Sequence, residues 1–149
     1  MADYIFKTIL DPSPEQIGLI VKPLKQYNES KIGPYSLERV AICAYDQADK
    51  LIGGIYGWIA WGWLYIDDLW VDESMRHQGV GSKLLSACEE FAIQRHIQNA
   101  RVNTGSFQAP DFYKKNGYEI FAQLDIVAGD GSAQIDYFMR KKLEKSTQE

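Results

Sequence analysis

The chain has 149 residues, of which 46% are apolar and 24% are charged, and its formal net charge is −4. This length and composition are typical of one globular domain and exclude disordered and fibrous proteins. The negative charge argues against a nucleic-acid binder, which would carry a basic excess, and is compatible with cationic substrates. Two cysteines and two histidines exclude a disulfide framework and a cysteine-based or multi-histidine metal site.

The sequence shows no targeting or membrane segment. The first residues lack a basic stretch followed by an apolar core, so no signal peptide is expected. The longest uncharged run, residues 51–66, is too short to span a bilayer and is interrupted by glycines. We therefore expect a cytoplasmic protein without a membrane or nucleic-acid partner, forming a single domain over residues 1–149 with a frayed tail at 145–149.

The first half of the chain predicts one helix and four strands. Residues 4–10 are predicted as a strand, and the helix that follows starts with Ser13 as its cap and Pro14 in its first turn and fades near Asn28. Three further strands are predicted from residues rich in β-branched and aromatic side chains, with turns at 46–50 and near Gly62; these strands cover residues 37–45, 51–61 and 63–71.

From Gly79 onward the hydrophobic period becomes helical. Val80, Leu84, Cys88 and Phe91 form an apolar stripe, which makes Cys88 a buried residue and not a nucleophile. The residues expected outside are Ser82, Lys83, Ser86, Glu89 and Glu90. Then come a strand at 100–104, a helix at 107–115 that ends before Gly117, and strands at 118–127 and 134–142. This order predicts a mixed α/β fold on one sheet.

The loop between the strand ending at Val71 and the long helix predicts an anion site. Gly79 and Gly81 open that helix, where glycine lets the backbone approach a ligand and the first N–H groups are free. The helix dipole and Arg76 add positive charge suited to a pyrophosphate. The spacing lacks the Gly-Lys-Ser/Thr ending of a P-loop and the third glycine of a dinucleotide fingerprint. A helix start with small residues for close packing is the alternative.

Two segments carry a resemblance to a known family. Arg76-His77-Gln78-Gly79-Val80-Gly81 resembles the Arg/Gln-x-x-Gly-x-Gly/Ala signature of the GNAT superfamily, the acetyl-coenzyme A-dependent N-acetyltransferases. Leu69-x-Val71 resembles the family's fourth strand, and residues 109–118 resemble its Ala-x-x-Phe-Tyr-x-x-x-Gly-aromatic segment. The resemblance, strong over about residues 50–125, implies one central, mostly antiparallel mixed sheet, flanked by helices, whose fourth and fifth strands splay apart.

The resemblance further implies that acetyl-coenzyme A is bound between the splayed strands, without a metal. The main chain of the fourth strand would bind the pantetheine arm as an added strand, and the glycine turn would hold the pyrophosphate. Ser106 stands where the family often has asparagine, and Asn103 is the alternative contact. The implied cofactor-binding residues are Leu69, Trp70, Val71, Arg76, His77, Gln78, Gly79, Val80, Gly81, Ser82, Asn103, Ser106 and Phe112.

The resemblance also implies two catalytic residues. Tyr113 matches the family tyrosine near the cofactor sulfur, where a phenol can protonate the departing thiolate; the alternative is a packing tyrosine. The family's base positions correspond to Asp67 and Tyr65, and Asp67 is the first candidate for the base. Simple alternation places Tyr65, Asp67, Leu69 and Val71 on one face, with Asp68 on the other unless a bulge exchanges the two acids.

The acceptor is expected to be a small, cationic primary amine that attacks directly in a ternary complex. Tyr65, together with Asn28 and Tyr35 near the loop after the first helix, is the expected substrate contact. Two alternatives stay open: acetylation of protein lysines or N-termini, and a regulatory module that binds acetyl-coenzyme A without turnover. The apolar last strand, residues 135–139, is compatible with a homodimer.

Overall fold

The chain divides into two compact units, Met1–Ser36 and Leu37–Glu149, and the computed structural model describes residues 3–144 of it. The first unit contains helix α1, Pro14–Ile32. The Ser13 hydroxyl accepts a hydrogen bond from the Gln16 N–H at 3.1 Å, and the Gln16 side chain accepts one from the Ser13 N–H at 2.9 Å. This reciprocal capping box explains why the helix begins where the sequence predicts.

The predicted strand at residues 4–10 is wrong. No strand is assigned among those residues in the described chain, although their apolar side chains suit one. A strand requires a hydrogen-bonded neighbour, and composition shows only that a segment is compatible with pairing. The strands predicted as fourth and fifth are therefore the third and fourth of the structure.

The second unit is built on one six-stranded sheet. Its strands are β1 Glu38–Tyr45, β2 Leu51–Ala60, β3 Trp63–Val71, β4 Asn99–Gly105, β5 Glu119–Val127 and β6 Ala133–Lys142. The order across the sheet is β1-β2-β3-β4-β6-β5, and among the pairs described only β3 and β4 run parallel. Trp61 and Gly62 turn β2 into β3 with positive φ angles of 53° and 82°, as a two-residue hairpin with right-handed twist requires.

Two helices and a short 3-10 helix complete the second unit: α2 Val80–Ile93, α3 Pro110–Lys115 and the 3-10 helix Glu73–Met75. Helix α2 packs against β1, β2 and β3. Leu64 and Ile66 of β3, Leu85 and Cys88 of α2 and Met139 of β6 are fully buried in the core. The prediction that Cys88 is buried is confirmed, and its burial, together with the Glu89 carboxylate, raises the pKa of the thiol to about 11.

The predicted solvent position of Glu89 is wrong. Its side chain is buried, with one carboxylate oxygen accepting the Tyr118 hydroxyl at 2.8 Å and the other lying 3.0 Å from the Lys141 ammonium. Helical period alone assigned Glu89 to the polar face. Burying an unpaired carboxylate is costly, and for this reason such groups are usually exposed. Here the hydrogen bond and the ion pair offset that cost.

The last predicted strand does not lie at an edge of the sheet. Strand β6 is paired with β4 on one side and β5 on the other, so its main chain is already used on both sides. A second copy could not extend the sheet at residues 135–139, and a homodimer stays a prediction. The tail predicted to be frayed, 145–149, lies outside the described residues. No helix in the described chain is both long and apolar enough to cross a membrane.

Candidate active site

A cavity opens where β3 and β4 separate. The two strands pair through three residue pairs only, of which the last is Ile66 with Val102. Beyond that pair, Leu69, Trp70 and Val71 of β3 and Asn103 of β4 line a cavity of about 910 Å³. The divergence leaves main-chain groups of β3 facing the cavity instead of a neighbouring strand. An extended, amide-containing chain could bind there as an added strand.

The first turn of α2 forms one end of this cavity. Gly79 precedes the helix in the left-handed region, at φ 79°, and the first main-chain bond of the helix runs from the Lys83 N–H to the Gly79 carbonyl at 3.1 Å. The N–H groups of Val80, Gly81 and Ser82 precede that bond and are the unsatisfied donors of a helix start. All three residues line the cavity. This end is suited to an anion.

Two cations stand beside that helix end. Arg76 and Lys115 both line the cavity. The Arg76 Nε donates to the Val71 carbonyl at 3.3 Å, which ties the loop back to the end of β3. Asn116, next to Lys115, donates to the Ser82 hydroxyl at 3.3 Å and so holds the end of α3 against the start of α2.

A β-bulge in β3 overturns the predicted face of the strand. Tyr65 pairs with Trp58 and Leu69 pairs with Ile55, and these partners, three positions apart in β2, point to opposite faces. The pairing shifts between Tyr56 and Gly57, which leaves Asp67 as the extra residue of β3. The prediction that Tyr65 and Leu69 share one face is therefore wrong, because simple alternation fails at a bulge.

The bulge brings both acidic side chains to the cavity. Asp67 and Asp68 line it next to the last pair of β3 with β4, Ile66 with Val102. Desolvation at the bulge, and then the neighbouring Asp68 carboxylate, raise the pKa of Asp67 above its ordinary value. A carboxylate with a raised pKa is a stronger base, and its negative charge attracts a cationic group.

Tyr113 lies in the wall of the cavity on α3. It is buried, and its ring contacts those of Phe112 and Tyr118 edge to face, with centroids 5.1 and 5.6 Å away. Burial, and then the Asp68 charge, raise the pKa of Tyr113 to about 12. The hydroxyl therefore keeps its proton throughout the physiological range, as a general acid must.

The family model described as Acetyltransferase (GNAT) family matches residues 9–118 of the chain. The chain belongs to the GNAT family. Blasticidin-S acetyltransferase of Streptomyces morookaense is 38% identical to it over 89 residues, which are 59% of this chain and 65% of that relative. The chain thus spans less than two thirds of that relative's length.

Two further relatives cover more of this GNAT chain. Acetyltransferase Atu2258 of Agrobacterium fabrum (strain C58 / ATCC 33970) is 31% identical over 122 residues, 82% of this chain and 88% of that protein. A crystal structure of an acetyltransferase from Bacillus cereus ATCC 14579 matches with a TM-score of 0.77 and 33% identity, covering 92% of this chain and 98% of that chain. The fold expected from the motifs, apart from its first strand, is confirmed.

Most residues predicted to bind the GNAT cofactor line one cavity. Phe112 packs there so closely on Gly81 that a Cβ on the glycine would lie 3.3 Å from the ring. The predicted residues that line the cavity are Asp67, Leu69, Trp70, Val71, Arg76, His77, Gly79, Val80, Gly81, Ser82, Asn103, Phe112 and Tyr113. Their roles in binding and catalysis stay predictions.

Three predicted residues of the second unit are not among those lining the cavity. The Gln78 amide donates to the Ser74 carbonyl at 3.5 Å. The Ser106 hydroxyl donates to the Gln134 side chain at 2.7 Å and accepts from the Ile135 N–H at 2.9 Å. It therefore joins the residue after β4 to the start of β6. Between Ser106 and Asn103, the geometry favours Asn103 as the contact to an arm in the cavity.

Tyr65, the third of these residues, is enclosed by its neighbours on the sheet. Its ring stacks on Trp58 with centroids 4.5 Å apart and an interplanar angle of 8°. The Arg101 guanidinium, on the strand at its other side, lies 4.6 Å from the ring centroid. The tyrosine therefore already holds a cation over its ring.

The other two predicted substrate contacts belong to the first unit. The Asn28 amide donates to the Tyr35 hydroxyl at 3.3 Å, and the Lys25 ammonium lies 5.7 Å from the Tyr35 ring centroid. The structure thus brings Asn28 and Tyr35 together, and their contact with an acceptor stays a prediction.

Seven residues of the cavity were not among the predicted site residues: Asp68, Met75, Thr104, Phe107, Gln108, Ala109 and Lys115. Phe107, Gln108 and Ala109 belong to the turn from β4 to α3. The Gln108 side chain accepts from the Gly105 N–H at 2.7 Å and so shapes this turn. In the sequence, the glycine at position 105 could have indicated this tight turn, because a Cβ there would collide with the Phe107 ring.

Among the described residues, no group of three or more side chains suited to hold a metal ion is found.

Proposed function

We propose that this GNAT protein is an N-acetyltransferase that moves an acetyl group from acetyl-coenzyme A to a primary amine of a small cationic molecule. The observation that carries the proposal is the charge arrangement of one cavity. Free helix N–H groups, Arg76 and Lys115 line it, and so do Asp67 and Asp68, which follow the last residue of β3 that pairs with β4. An anionic ligand and a cationic ligand could therefore bind in one cavity, with Tyr113 in its wall.

The residues present suit acetyl-coenzyme A. The N–H groups of Val80, Gly81 and Ser82 would hold the pyrophosphate, and the main chain of Leu69 to Val71 would bond the pantetheine amides. Gly79 allows the approach, since its left-handed φ suits glycine and no atom lies within 4 Å of the position a Cβ would take. When bound, the cofactor supplies the acetyl group as a thioester.

The two carboxylates of the cavity would prepare the amine for attack. A primary amine with a pKa near 10.4 is almost entirely protonated at pH 7, so it must lose a proton before it can attack. The Asp67 and Asp68 carboxylates would attract the ammonium, and Asp67, whose pKa is raised, would accept its proton directly or through a water.

Tyr113 would complete the transfer. As the nitrogen–carbon bond forms and the carbon–sulfur bond breaks, the electron pair stays on the sulfur, and the Tyr113 hydroxyl donates its proton to that thiolate. The proton that the acylated nitrogen then loses would return to the Tyr113 phenolate, directly or through water. Cys88 is buried with a raised pKa and is unsuited to act as a nucleophile. Direct attack of the amine in a ternary complex is thus the route that these residues support.

The acceptor class rests on charge and on one relative. The two carboxylates have no ion pair with a basic side chain of the described chain, so they can receive a cationic acceptor. The relative from Streptomyces morookaense is named for blasticidin S, and an antibiotic amine is the acceptor that this similarity supports. The alternative class of acceptor is the amines of proteins, which are lysine side chains and N-termini.

A panel of amines tests the proposal by following release of the coenzyme A thiol. We expect turnover with blasticidin S or with a small polyamine, and no more than trace turnover with lysine-containing peptides of matched charge. Turnover restricted to peptides would replace the small-molecule acceptor with a protein. Tight binding of acetyl-coenzyme A in calorimetry with no thiol release in either set would indicate a regulatory module instead.

A further inference from the structure

Next to Tyr113, the side chains of Glu89, Tyr118 and Lys141 form a cluster in which the carboxylate and the phenol are buried. Glu89 of α2 accepts the Tyr118 hydroxyl at 2.8 Å and pairs with the Lys141 ammonium of β6 at 3.0 Å. Glu89 and Tyr118 are 7% and 3% exposed, so the bond between them forms in a medium of low dielectric constant, where it is strong. The Lys141 side chain is partly exposed. Nothing in the reaction proposed above uses this cluster.

The cluster is in direct contact with the proposed acid. The Tyr118 ring meets the Tyr113 ring edge to face, with centroids 5.6 Å apart and an interplanar angle of 76°. The Tyr118 N–H also donates to the Tyr113 carbonyl at 3.0 Å. Tyr118 is thus fixed at its main chain by Tyr113 and at its hydroxyl by Glu89.

The surroundings of Tyr118 leave its ring little freedom. The Lys141 ammonium lies 5.6 Å from the centroid of that ring. Gly117 has a φ of 92°, and a Cβ on it would lie 3.3 Å from the Lys141 side chain, so the glycine lets the lysine pass beside the chain toward Glu89. The Glu89 carboxylate therefore receives the Tyr118 hydroxyl only while the ring holds this orientation.

We propose that Glu89 and Tyr118 are positioning residues that set the tilt of the Tyr113 ring and hence the place of its hydroxyl in the cavity. This inference rests on the proposed function, in which Tyr113 is the acid. A phenylalanine at position 118 would fill the same volume, so packing alone does not require the hydroxyl. The bond to a buried carboxylate instead fixes the direction of the ring, and rings in edge-to-face contact constrain one another.

The Tyr118→Phe variant separates orientation from packing. We expect kcat to fall roughly tenfold, a part of the ~100-fold that a misplacement of about 1 Å can cost. The KM for acetyl-coenzyme A should stay within about twofold, because the groups proposed to bind the cofactor are left intact. Tyr137→Phe, which removes the hydroxyl of another half-buried tyrosine, is the matched control and should keep the wild-type kcat.

A double-mutant cycle with Tyr113→Phe decides whether the effect passes through Tyr113. If Tyr118 acts by positioning the acid, Tyr118→Phe should cause no further loss of kcat once the Tyr113 hydroxyl is gone. The same fold loss in both backgrounds would show a general structural role and overturn the inference. Wild-type kcat in Tyr118→Phe would overturn it as well.

Glu89 offers a second, independent variant. Glu89→Gln keeps an oxygen that can accept the Tyr118 hydroxyl, and we expect it to retain most of the kcat. Glu89→Leu removes the acceptor and should reproduce the loss seen in Tyr118→Phe, without adding to it in the double variant. A folded Glu89→Leu protein with the wild-type kcat would refute the positioning role.

A readout that does not need turnover keeps this inference separate from the proposed function. With tyrosines labelled at Cζ, the Tyr113 resonance, assigned by its loss in Tyr113→Phe, should shift in Tyr118→Phe and stay in place in Tyr137→Phe. An unmoved resonance would overturn the positioning role. If no acceptor turns over, the proposed function fails, and this resonance still decides whether Tyr118 positions Tyr113.

Discussion

Gly57 of β2 faces the Tyr65 carbonyl oxygen of β3 so closely that any Cβ on the glycine would collide with it. This close approach lies at the shift of register that makes Asp67 the extra residue of β3. The bulge in turn places both Asp67 and Asp68 at the cavity. A glycine on one strand thus allows an acidic pair on the next.

Gly57→Ala should remove this arrangement. The clash with backbone should lower the free energy of unfolding by about 1–3 kcal/mol, as overpacking does, and should reduce kcat by moving the acidic pair. Denaturant unfolding and thiol release measure the two effects. Gly54→Ala in the same strand is the control, since its Cβ would meet nothing nearer than 3.5 Å. Equal stability of both variants would contradict the explanation of the bulge.

Tyr113→Phe should lower kcat by about 10²–10⁴-fold, the usual contribution of general acid catalysis. The ring and its packing remain, so the Kd for acetyl-coenzyme A and the Tm should barely change. Because the pKa of Tyr113 is raised to about 12, the wild-type enzyme should show no loss of rate from ionisation of this phenol between pH 8 and pH 10. A variant with wild-type kcat would leave Tyr113 a packing residue only.

Asp68→Asn should shift the acid side of the pH–rate profile. Asp67 acts as a base only when ionised, so kcat/KM falls as the pH drops through its raised pKa. Removing the Asp68 charge removes one cause of that raised pKa, and the acid limb should move to lower pH. Protonation of the acceptor amine also changes the rate with pH, but its contribution is the same for the wild type and Asp68→Asn when both are measured with one amine. Asp67→Asn should lose most of the rate at every pH, and an unshifted limb in Asp68→Asn would argue against Asp67 as the base.

Gly79→Asp should weaken acetyl-coenzyme A binding by more than tenfold relative to Gly79→Asn, as measured by calorimetry. Both side chains tolerate the left-handed φ of 79°, and they differ in charge alone. A carboxylate at the start of α2 would repel the pyrophosphate, whereas a neutral amide would not. Equal affinities of the two variants would remove the phosphate site from this turn.

Lys141→Met should destabilise the fold by about 1–3 kcal/mol, because it leaves the buried Glu89 carboxylate without its cation. The double variant Glu89→Gln/Lys141→Met should recover most of that loss, since it removes the charge and keeps an acceptor for Tyr118. Thermal unfolding of the three proteins gives the comparison. A double variant no more stable than Lys141→Met would show that the charge is not the cause.

The sequence by itself determined the local features of this protein. The capping box at Ser13, the turn at Gly62 and the glycines before α2 act through a few neighbouring residues, and their chemistry can be read from the chain. The two motifs around Gly79 and Tyr113 were enough to predict the family and the cofactor site, because both are short and continuous.

Only the tertiary structure decided the features that depend on partners distant in the chain. The segment 4–10 has the composition of a strand, but pairing with another strand is a property of the fold. The side of β3 that carries Asp67 depends on a register with β2 that alternation does not predict. Glu89 could be buried because Tyr118 and Lys141, 29 and 52 residues away in the chain, supply the hydrogen bond and the charge that a buried carboxylate requires.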